Sequence, residues 1–213
     1  MRHRLIFIRS FPSLLTTGLA VATLSVSSQA FAYGAGDFFT RVGVAKVAPT
    51  SDNGSLASGA LSVDVQDKTD FAFTLGYRFH DKVGVEVLAA LPFEHDIHLN
   101  GDNIASTKHL PPTLTLQYYP LGGTQSRVQP YVGAGINYTH FSDEDLAIGD
   151  LDLNDSWGAA GQVGIDLLID DNWALNAAAW YIDIDTDASV NGASAGTVEI
   201  DPLVVMAGLG YRF

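Results

Sequence analysis

The chain has 213 residues, a formal net charge of −13 and no cysteine. The excess of acidic residues makes nucleic acid a poor partner, and the lack of cysteine excludes a disulfide-stapled scaffold. Stability must therefore come from a packed core or from a closed hydrogen-bonded sheet, and the length fits a single domain.

Residues 1–32 are predicted to be a secretory signal peptide. Basic residues precede an apolar stretch from about Phe11 to Val26, and Ala30-Phe31-Ala32 gives the small-x-small pattern of a cleavage site. The alternative, a membrane-spanning helix, is disfavoured because Pro12 and several Thr and Ser residues leave the stretch short and polar. Removal of the peptide leaves 8 basic residues against 24 acidic ones, a net charge of −16.

Residues 33–213 contain eight alternating segments, rich in Val, Phe, Tyr and Gly, that predict β-strands. Their approximate spans are 37–48, 69–79, 83–93, 108–119, 128–140, 156–169, 173–185 and 198–213. Short connections alternate with longer ones that are rich in Asp, Asn, Ser and Gly, namely 49–68, 94–107, 141–155 and 186–197. This predicts an all-β chain that forms an eight-stranded antiparallel up-and-down transmembrane barrel. Connection lengths alone leave a soluble eight-stranded barrel open.

One face of the predicted strands carries an apolar band. In the seventh strand this face runs from Trp173 through Leu175, Ala177 and Ala179 to Tyr181, with an aromatic residue at each limit. At about 3.3 Å per residue and a tilt of about 40°, the band is roughly 20 Å tall, close to that of a bacterial barrel. The aromatic limits and the export signal favour a face that contacts lipid over a soluble fold.

The pentapeptide LGYRF occurs at residues 75–79 and again at 209–213. Both predicted strands run toward the end of the barrel with short turns. Alternation therefore puts Tyr and Phe of each copy in the periplasmic aromatic girdle and Arg78 or Arg212 in the lumen. A shared location accounts for the repetition.

Distinctive motifs lie on all but one of the predicted strands: GDFFTRVG (36–43), GVEVLAALPFEH (84–95), HLPPTLTLQYY (109–119), QPYVGAGINYT (129–139), DSWGAAGQVGID (155–166), WYIDID (180–185) and the closing GYRF. Together they resemble the OmpW family of small barrels in the bacterial outer membrane. The resemblance implies a narrow hydrophobic channel for small apolar molecules. It also implies that Leu88 and Trp180, which match the family's Leu in GVELLAA and Trp in WYMDID, form the constriction. The terminal Phe213 resembles the end that such barrels present to their assembly machinery.

Alternation independently places both residues in the lumen, because Leu88 shares a face with Glu86, and Trp180 shares one with Ile182 and Ile184. The upper lumen, toward the long connections, is therefore predicted to be apolar. Such a surface suits an apolar ligand, which gains about 25 cal/mol per Å² of apolar area removed from water. The alternative is that these side chains merely fill a small structural barrel.

Charged residues on the luminal face are predicted near the periplasmic strand ends. Because an isolated buried ion is costly, we expect them to form one network that closes the periplasmic half of the lumen. A solute from outside would then leave sideways between strands, and Pro111 and Pro112 mark a possible seam because they cannot donate ladder hydrogen bonds. The five charged residues are Arg41, Arg78, Glu86, Asp166 and Arg212.

Polar clusters in the predicted loops raise other kinds of chemistry. Glu94-His95-Asp96-Ile97-His98 lacks a recognised metal-ligand spacing, and the acidic residues between Asp143 and Asp155 lack the register of a calcium loop. Ser106, with His109 and Asp102, does not lie in a nucleophile elbow. The sequence thus predicts no enzyme, metal or cofactor.

The functional prediction is an outer-membrane channel for small hydrophobic molecules with lateral exit into the membrane. The expected partners are outer-membrane lipid and lipopolysaccharide, small apolar solutes and, through Phe213, the barrel assembly machinery. The alternative is a non-conducting structural or adhesion barrel whose acidic extracellular loops bind a neighbouring surface.

Overall fold

The computed structural model describes residues 34–213 except 51–52, 57–58, 91–92, 100–101, 111 and 147–149. The predicted signal peptide, residues 1–32, lies outside the described residues. Among the described residues, no helix is long and apolar enough to cross a membrane. The same part of the chain contains fifteen strands: β1 Phe38–Ala48, β2 Ser55–Leu56, β3 Leu61–Val65, β4 Lys68–His80, β5 Val83–Ala90, β6 Phe93–Leu99, β7 Asp102–Leu110, β8 Thr113–Tyr118, β9 Val128–Leu146, β10 Leu151–Leu153, β11 Ser156–Leu168, β12 Trp173–Ile182, β13 Asp185–Val190, β14 Ala193–Glu199 and β15 Leu203–Arg212.

Eight of these strands close into a barrel in the circular order β1, β4, β5, β8, β9, β11, β12 and β15. Each is antiparallel to both neighbours, and β15 returns to β1 through ten paired residues, from Phe39 with Arg212 to Ala48 with Leu203. Closure leaves no unpaired edge, which is what a sheet in a bilayer requires. The predicted all-β, eight-stranded antiparallel barrel is confirmed.

The long connections contain more strand than the sequence indicated. β6 pairs with β7, and β7 pairs with the upper part of β9, whereas β10, β13 and β14 form a separate three-stranded sheet. Their polar residues alternate with buried apolar ones, such as Val63, Val65 and Val198. Predicted barrel strands are correspondingly shorter, because residues 108–110, 185 and 198–199 belong to β7, β13 and β14 instead of the barrel wall.

The two faces of the barrel are inverted relative to a soluble protein. Large apolar side chains are exposed on the outer face, where Trp157, Phe71 and Phe213 are 70%, 62% and 74% exposed, whereas Arg41 and Asp166 are buried inside. Charged residues are almost never buried in soluble proteins unless paired, and outward apolar bands are typical of outer-membrane barrels. This arrangement decides against the soluble alternative.

Aromatic pairs mark both limits of the apolar band. Near the short turns the ring centroids of Phe38 and Tyr77 are 4.5 Å apart, and those of Tyr211 and Phe213 are 5.1 Å apart. At the other limit Tyr138 lies 4.8 Å from Trp157. Both LGYRF copies therefore lie at the short-turn end with their aromatic residues in one girdle.

Candidate channel lumen

Buried apolar side chains line the half of the lumen toward the long connections. Trp180 and Ile182 of β12 pack with Met206 of β15 and Ala45 of β1, and Ile184 follows just beyond β12. The same cluster continues into the strands of the connections through Leu56, Val63, Val65, Ala188 and Val198. The apolar surface is therefore continuous from the barrel interior into the strands above it.

Leu88 and Trp180 are both buried in this cluster, at 5% and 1% exposure. Leu88 lies on β5 and Trp180 on β12, and these strands are four positions apart in either direction around the eight-stranded circle. The two side chains therefore come from diametrically opposed walls of the barrel.

The upper lumen also has a polar wall, which the prediction of an apolar upper lumen missed. Asn137 Nδ2 of β9 donates to Thr113 Oγ1 of β8 at 2.9 Å, and Thr139 Oγ1 donates to Asn137 Oδ1 at 2.7 Å. All three residues are fully buried. The expectation of an apolar upper lumen was based on the seventh predicted strand. The polar residues at the inward-facing positions 113, 137 and 139 indicate the polar wall.

Below Trp180 the lumen is filled by a polar network centred on Arg41. Its guanidinium donates to both oxygens of Asp166, at 3.0 Å from Nε and 2.6 Å from Nη2, and it also pairs with Glu86. Tyr119 Oη lies 3.2 Å from Nη2. Two buried carboxylates thus share one buried cation, Asp166 in bidentate geometry and Glu86 through one oxygen, which offsets the cost of taking the charges out of water.

Aromatic rings enclose the same guanidinium. The ring centroids of Phe39 and Tyr131 lie 4.4 Å and 4.5 Å from Arg41 Cζ. Cation–π contacts of this kind are strongest where water is excluded. Phe39 and Tyr131 were not among the predicted site residues, although both lie at inward-facing positions of their strands.

Amide side chains fill the space around Glu86. Gln117 Nε2 and Gln162 Nε2 donate to Glu86 Oε1 at 2.8 Å and 2.7 Å. Gln162 Oε1 in turn accepts from Thr115 Oγ1 at 3.0 Å and from Gln117 Nε2 at 2.9 Å. Every second residue from Thr115 to Tyr119, on β8 and at its end, faces the lumen. A list of the inward-facing residues of all strands would therefore have included Thr115, Gln117 and Tyr119.

The structure joins the five predicted charges in part. Arg41, Glu86 and Asp166 are in direct contact, and Arg78 lies with its Cζ 3.7 Å from the ring centroid of Tyr119. Arg212 donates to Asp37 at 3.3 Å, near the end of the barrel with short turns. A single network of all five charged residues stays a prediction, and the contacts of Arg41 with Glu86 and Asp166 are its observed part.

The fourth predicted strand is interrupted at its prolines. β7 ends at Leu110 and β8 begins at Thr113, so Pro112 lies in a break, and Pro111 lies outside the described residues. The Pro112 carbonyl accepts from the Tyr138 backbone N–H at 3.1 Å. Between β5 and β8, the pairs run from Val83 with Tyr118 to Leu88 with Thr113. Among the residues that the structure describes, the pairing of these two strands thus ends beside Leu88.

Acidic residues are exposed at the upper boundary of the barrel. Carboxylate oxygens of Asp183, Asp185 and Asp201 lie within 4.8 Å of one another, the one such group found in the described part. Burial and the neighbouring Asp201 raise the pKa of Asp185. Asp155 accepts from Tyr138 Oη at 2.5 Å and contacts His140 Nδ1 at 2.7 Å, and these hydrogen bonds lower the pKa of Asp155.

The other predicted polar clusters lie outside the described side chains. These are the metal candidates at 94–97 with His109, the Ser106 group, and the acidic residues 143–145. Asp150 and Asp152 are described, and with His140 and Asp155 they line an open acidic depression of about 790 Å³.

The closed eight-stranded antiparallel barrel, with its apolar exterior, aromatic girdles and buried charges, defines an outer-membrane barrel. The model of the OmpW family matches residues 34–213, and the chain belongs to that family. It is 46% identical over 212 residues to outer membrane protein W of Escherichia coli (strain K12), covering 94% of this chain and 99% of the relative. Its identity to outer membrane protein W of Vibrio cholerae is 43% over 212 residues, covering 92% and 97%.

Solved structures agree with this assignment. The crystal structure of OprG from Pseudomonas aeruginosa matches with a TM-score of 0.78 and 43% identity, covering 85% of this chain and 98% of that one. The solution structure of the Escherichia coli protein matches with a TM-score of 0.63 and 43% identity, covering 85% and 100%. The chain is thus a bacterial outer-membrane protein embedded in lipid, of a family that is not enzymatic.

Proposed function

We propose that this chain passes small hydrophobic molecules through its upper lumen, with Leu88 and Trp180 at the constriction. The observation that carries the proposal is the continuous apolar surface from the strands of the connections down to Trp180. An apolar solute gains about 25 cal/mol per Å² of apolar area that it removes from water there. A relative in Pseudomonas aeruginosa, 28% identical over 170 residues, is named dibenzothiophene metabolism operon protein PahQ, and dibenzothiophene is an apolar aromatic compound.

The exit we propose is lateral. Arg41, Glu86 and Asp166, with Gln117 and Gln162, fill the lumen below Trp180 with paired polar groups. An apolar solute that displaced them would leave buried charges unpaired, which is costly. The end of β5–β8 pairing at Leu88, next to the break that contains Pro112, supports an exit into lipid at this level.

We propose two partners. The acidic residues at the upper boundary, with Asp183 and Asp201 among them, support contacts with lipopolysaccharide through divalent cations. At the other end Phe213 is exposed and packs edge-on against Tyr211. We propose that this terminal aromatic residue contacts the barrel assembly machinery.

Uptake of labelled naphthalene tests the channel. Cells with matched surface levels of the wild type, the Trp180→Asp variant or the lipid-facing Trp157→Phe control would be compared with cells that lack the protein. We expect the wild type and the control to accelerate uptake, and Trp180→Asp to abolish the acceleration, because a passing apolar solute would have to remove water from the carboxylate, which is costly. The shift in gel mobility between unheated and heated samples shows whether each variant has formed a barrel.

Equal uptake by all four cell types would reject the channel. The result would favour the non-conducting barrel, in which the exposed acidic depression around Asp150, Asp152 and Asp155 binds a neighbouring surface.

A further inference from the structure

The indole N–H of Trp180 is a buried hydrogen-bond donor. The side chain is 1% exposed, and Nε1 has no hydrogen-bond partner among the residues that the structure describes. Folded proteins pair nearly all of their buried polar groups, because a buried donor without an acceptor loses its bond to water and gains nothing in return. An unpaired donor at a passage for solutes therefore points to an acceptor that the solute supplies.

Within the part of the chain that the structure describes, the two cross-strand partners of Trp180 offer its indole N–H no free side-chain acceptor. Its cross-strand partners are Val204 on β15, which is apolar, and Gln162 on β11. Gln162 Oε1 already accepts two hydrogen bonds, from Thr115 and Gln117, and its Nε2 donates to Glu86. A carbonyl oxygen has two lone pairs, so the Gln162 oxygen has no free acceptor site, and the amide is held toward the polar network below.

A second unpaired polar atom lies beside Leu88. Thr74 Oγ1 is fully buried and has no partner within the described part of the chain, and Thr74 is the cross-strand partner of Leu88 on β4. Leu88 and Trp180 come from opposed walls, so each side of the proposed constriction combines an apolar surface with one unsatisfied hydrogen-bonding group.

We infer that Trp180 selects solutes with one hydrogen-bond acceptor, such as a ketone or ether oxygen, on an otherwise apolar body. The inference rests on the proposed channel function and narrows its substrate class. The acceptor pairs with Nε1–H while the apolar body lies against Val204 and Ile182. A hydrocarbon leaves the donor unpaired, and a solute with many polar groups must desolvate them at an apolar wall. Sites built to hydrogen-bond a substrate discriminate against analogues that lack the bonding group.

A spectroscopic titration tests the contact directly. The folded wild-type protein, labelled with nitrogen-15 at tryptophan, would be titrated with acetophenone or with isopropylbenzene, in which a methyl group replaces the carbonyl oxygen. The Trp180 indole signal is assigned by its loss in Trp180→Phe. We expect acetophenone to move this signal downfield and isopropylbenzene to leave it in place, with the lipid-facing Trp157 responding alike to both. Equal responses of the Trp180 signal to the two solutes would overturn the inference.

Uptake of the same two solutes gives a second readout. We expect the ratio of protein-dependent uptake, acetophenone over isopropylbenzene, to fall by about two- to tenfold in Trp180→Phe, the effect of one hydrogen bond. The Trp157→Phe control should keep the wild-type ratio. An unchanged ratio in Trp180→Phe would overturn the selection and leave the channel standing. If the wild type accelerated neither solute, the channel itself would fail, and the titration alone would decide whether Trp180 binds an acceptor.

Discussion

The ring of Phe39 lies directly over Gly76. The two residues are cross-strand partners on β1 and β4, and a Cβ atom built at Gly76 would overlap the ring carbons of Phe39. Gly164 and Tyr131 form the same pairing on β11 and β9. Aromatic rings that cover glycines in this way pin the register of a sheet. Here the two covered glycines also let two rings reach Arg41 from either side.

Gly76→Ala should therefore destabilise the barrel. The added methyl group must push the Phe39 ring off its position over Arg41, and overpacking of this kind costs about 1–3 kcal/mol. Unfolding of the reconstituted protein in urea measures the loss. Gly161→Ala is the matched control, because Gly161 is exposed on β11 and a Cβ there meets nothing within 4 Å. Equal stability of both variants would show that the Phe39 ring is free to move.

Removal of the central cation should cost more. Arg41→Met leaves Glu86 and Asp166 buried without their shared partner, and breaking a buried ion pair in this way costs about 3–5 kcal/mol. We expect the triple variant with Glu86→Gln and Asp166→Asn to regain most of the loss, because no unpaired charge remains. The free energy of unfolding is the measurement. A triple variant no more stable than Arg41→Met would mean that the packing of Arg41 between rings matters more than its charge.

Narrowing the lumen at Leu88 should slow uptake. Leu88→Trp adds bulk opposite Trp180, so we expect naphthalene uptake to fall toward the level of cells without the protein. Val87→Trp is the control, since Val87 is the preceding residue on β5 and faces lipid. A similar loss in both variants would indicate damage to the barrel rather than a block in the passage.

The contacts of Asp155 should persist in mild acid. Its hydrogen bonds from Tyr138 and His140 lower the pKa of the carboxyl below its ordinary value of 3.8. A lowered pKa means that the contribution of the charged form is complete above pH 3.8 and is lost as the pH falls through the lower value. Trp157 fluorescence, which senses the stacked Tyr138 ring, should change below pH 3.8 in the wild type and not in Asp155→Asn. A transition centred near pH 5 would contradict this.

The alternation of residues predicted the barrel well because it assigns each residue to one face of its strand without any knowledge of the neighbouring strands. Trp173 to Tyr181 on β12 lie where period two and the aromatic limits put them. The same parity places Leu88 and Trp180 inside. The break at Pro112 could also be anticipated from the missing backbone donor.

Contacts between strands were harder to predict, because they depend on register and tilt. The alternation of residues within a strand does not predict that Arg41 contacts Asp166 three strands away, or that Arg212 contacts Asp37. In the connections, β2 and β10 were missed because two and three residues are too few to show a period, whereas β6 and β7 were missed although they have seven and nine residues. The polar wall around Asn137 needed a comparison of all eight strands.

The seam between β1 and β15 constrains how the protein is made. These strands come from opposite ends of the described chain, yet they share ten paired residues, and the Phe213 N–H donates to the Phe38 carbonyl at 3.0 Å. Until β15 pairs with it, β1 has a row of unpaired backbone N–H and C=O groups that can pair with another chain. This edge stays open until every intervening strand has been made and β15 has paired with β1, so the barrel is exposed to pairing with other chains until its last strand is in place.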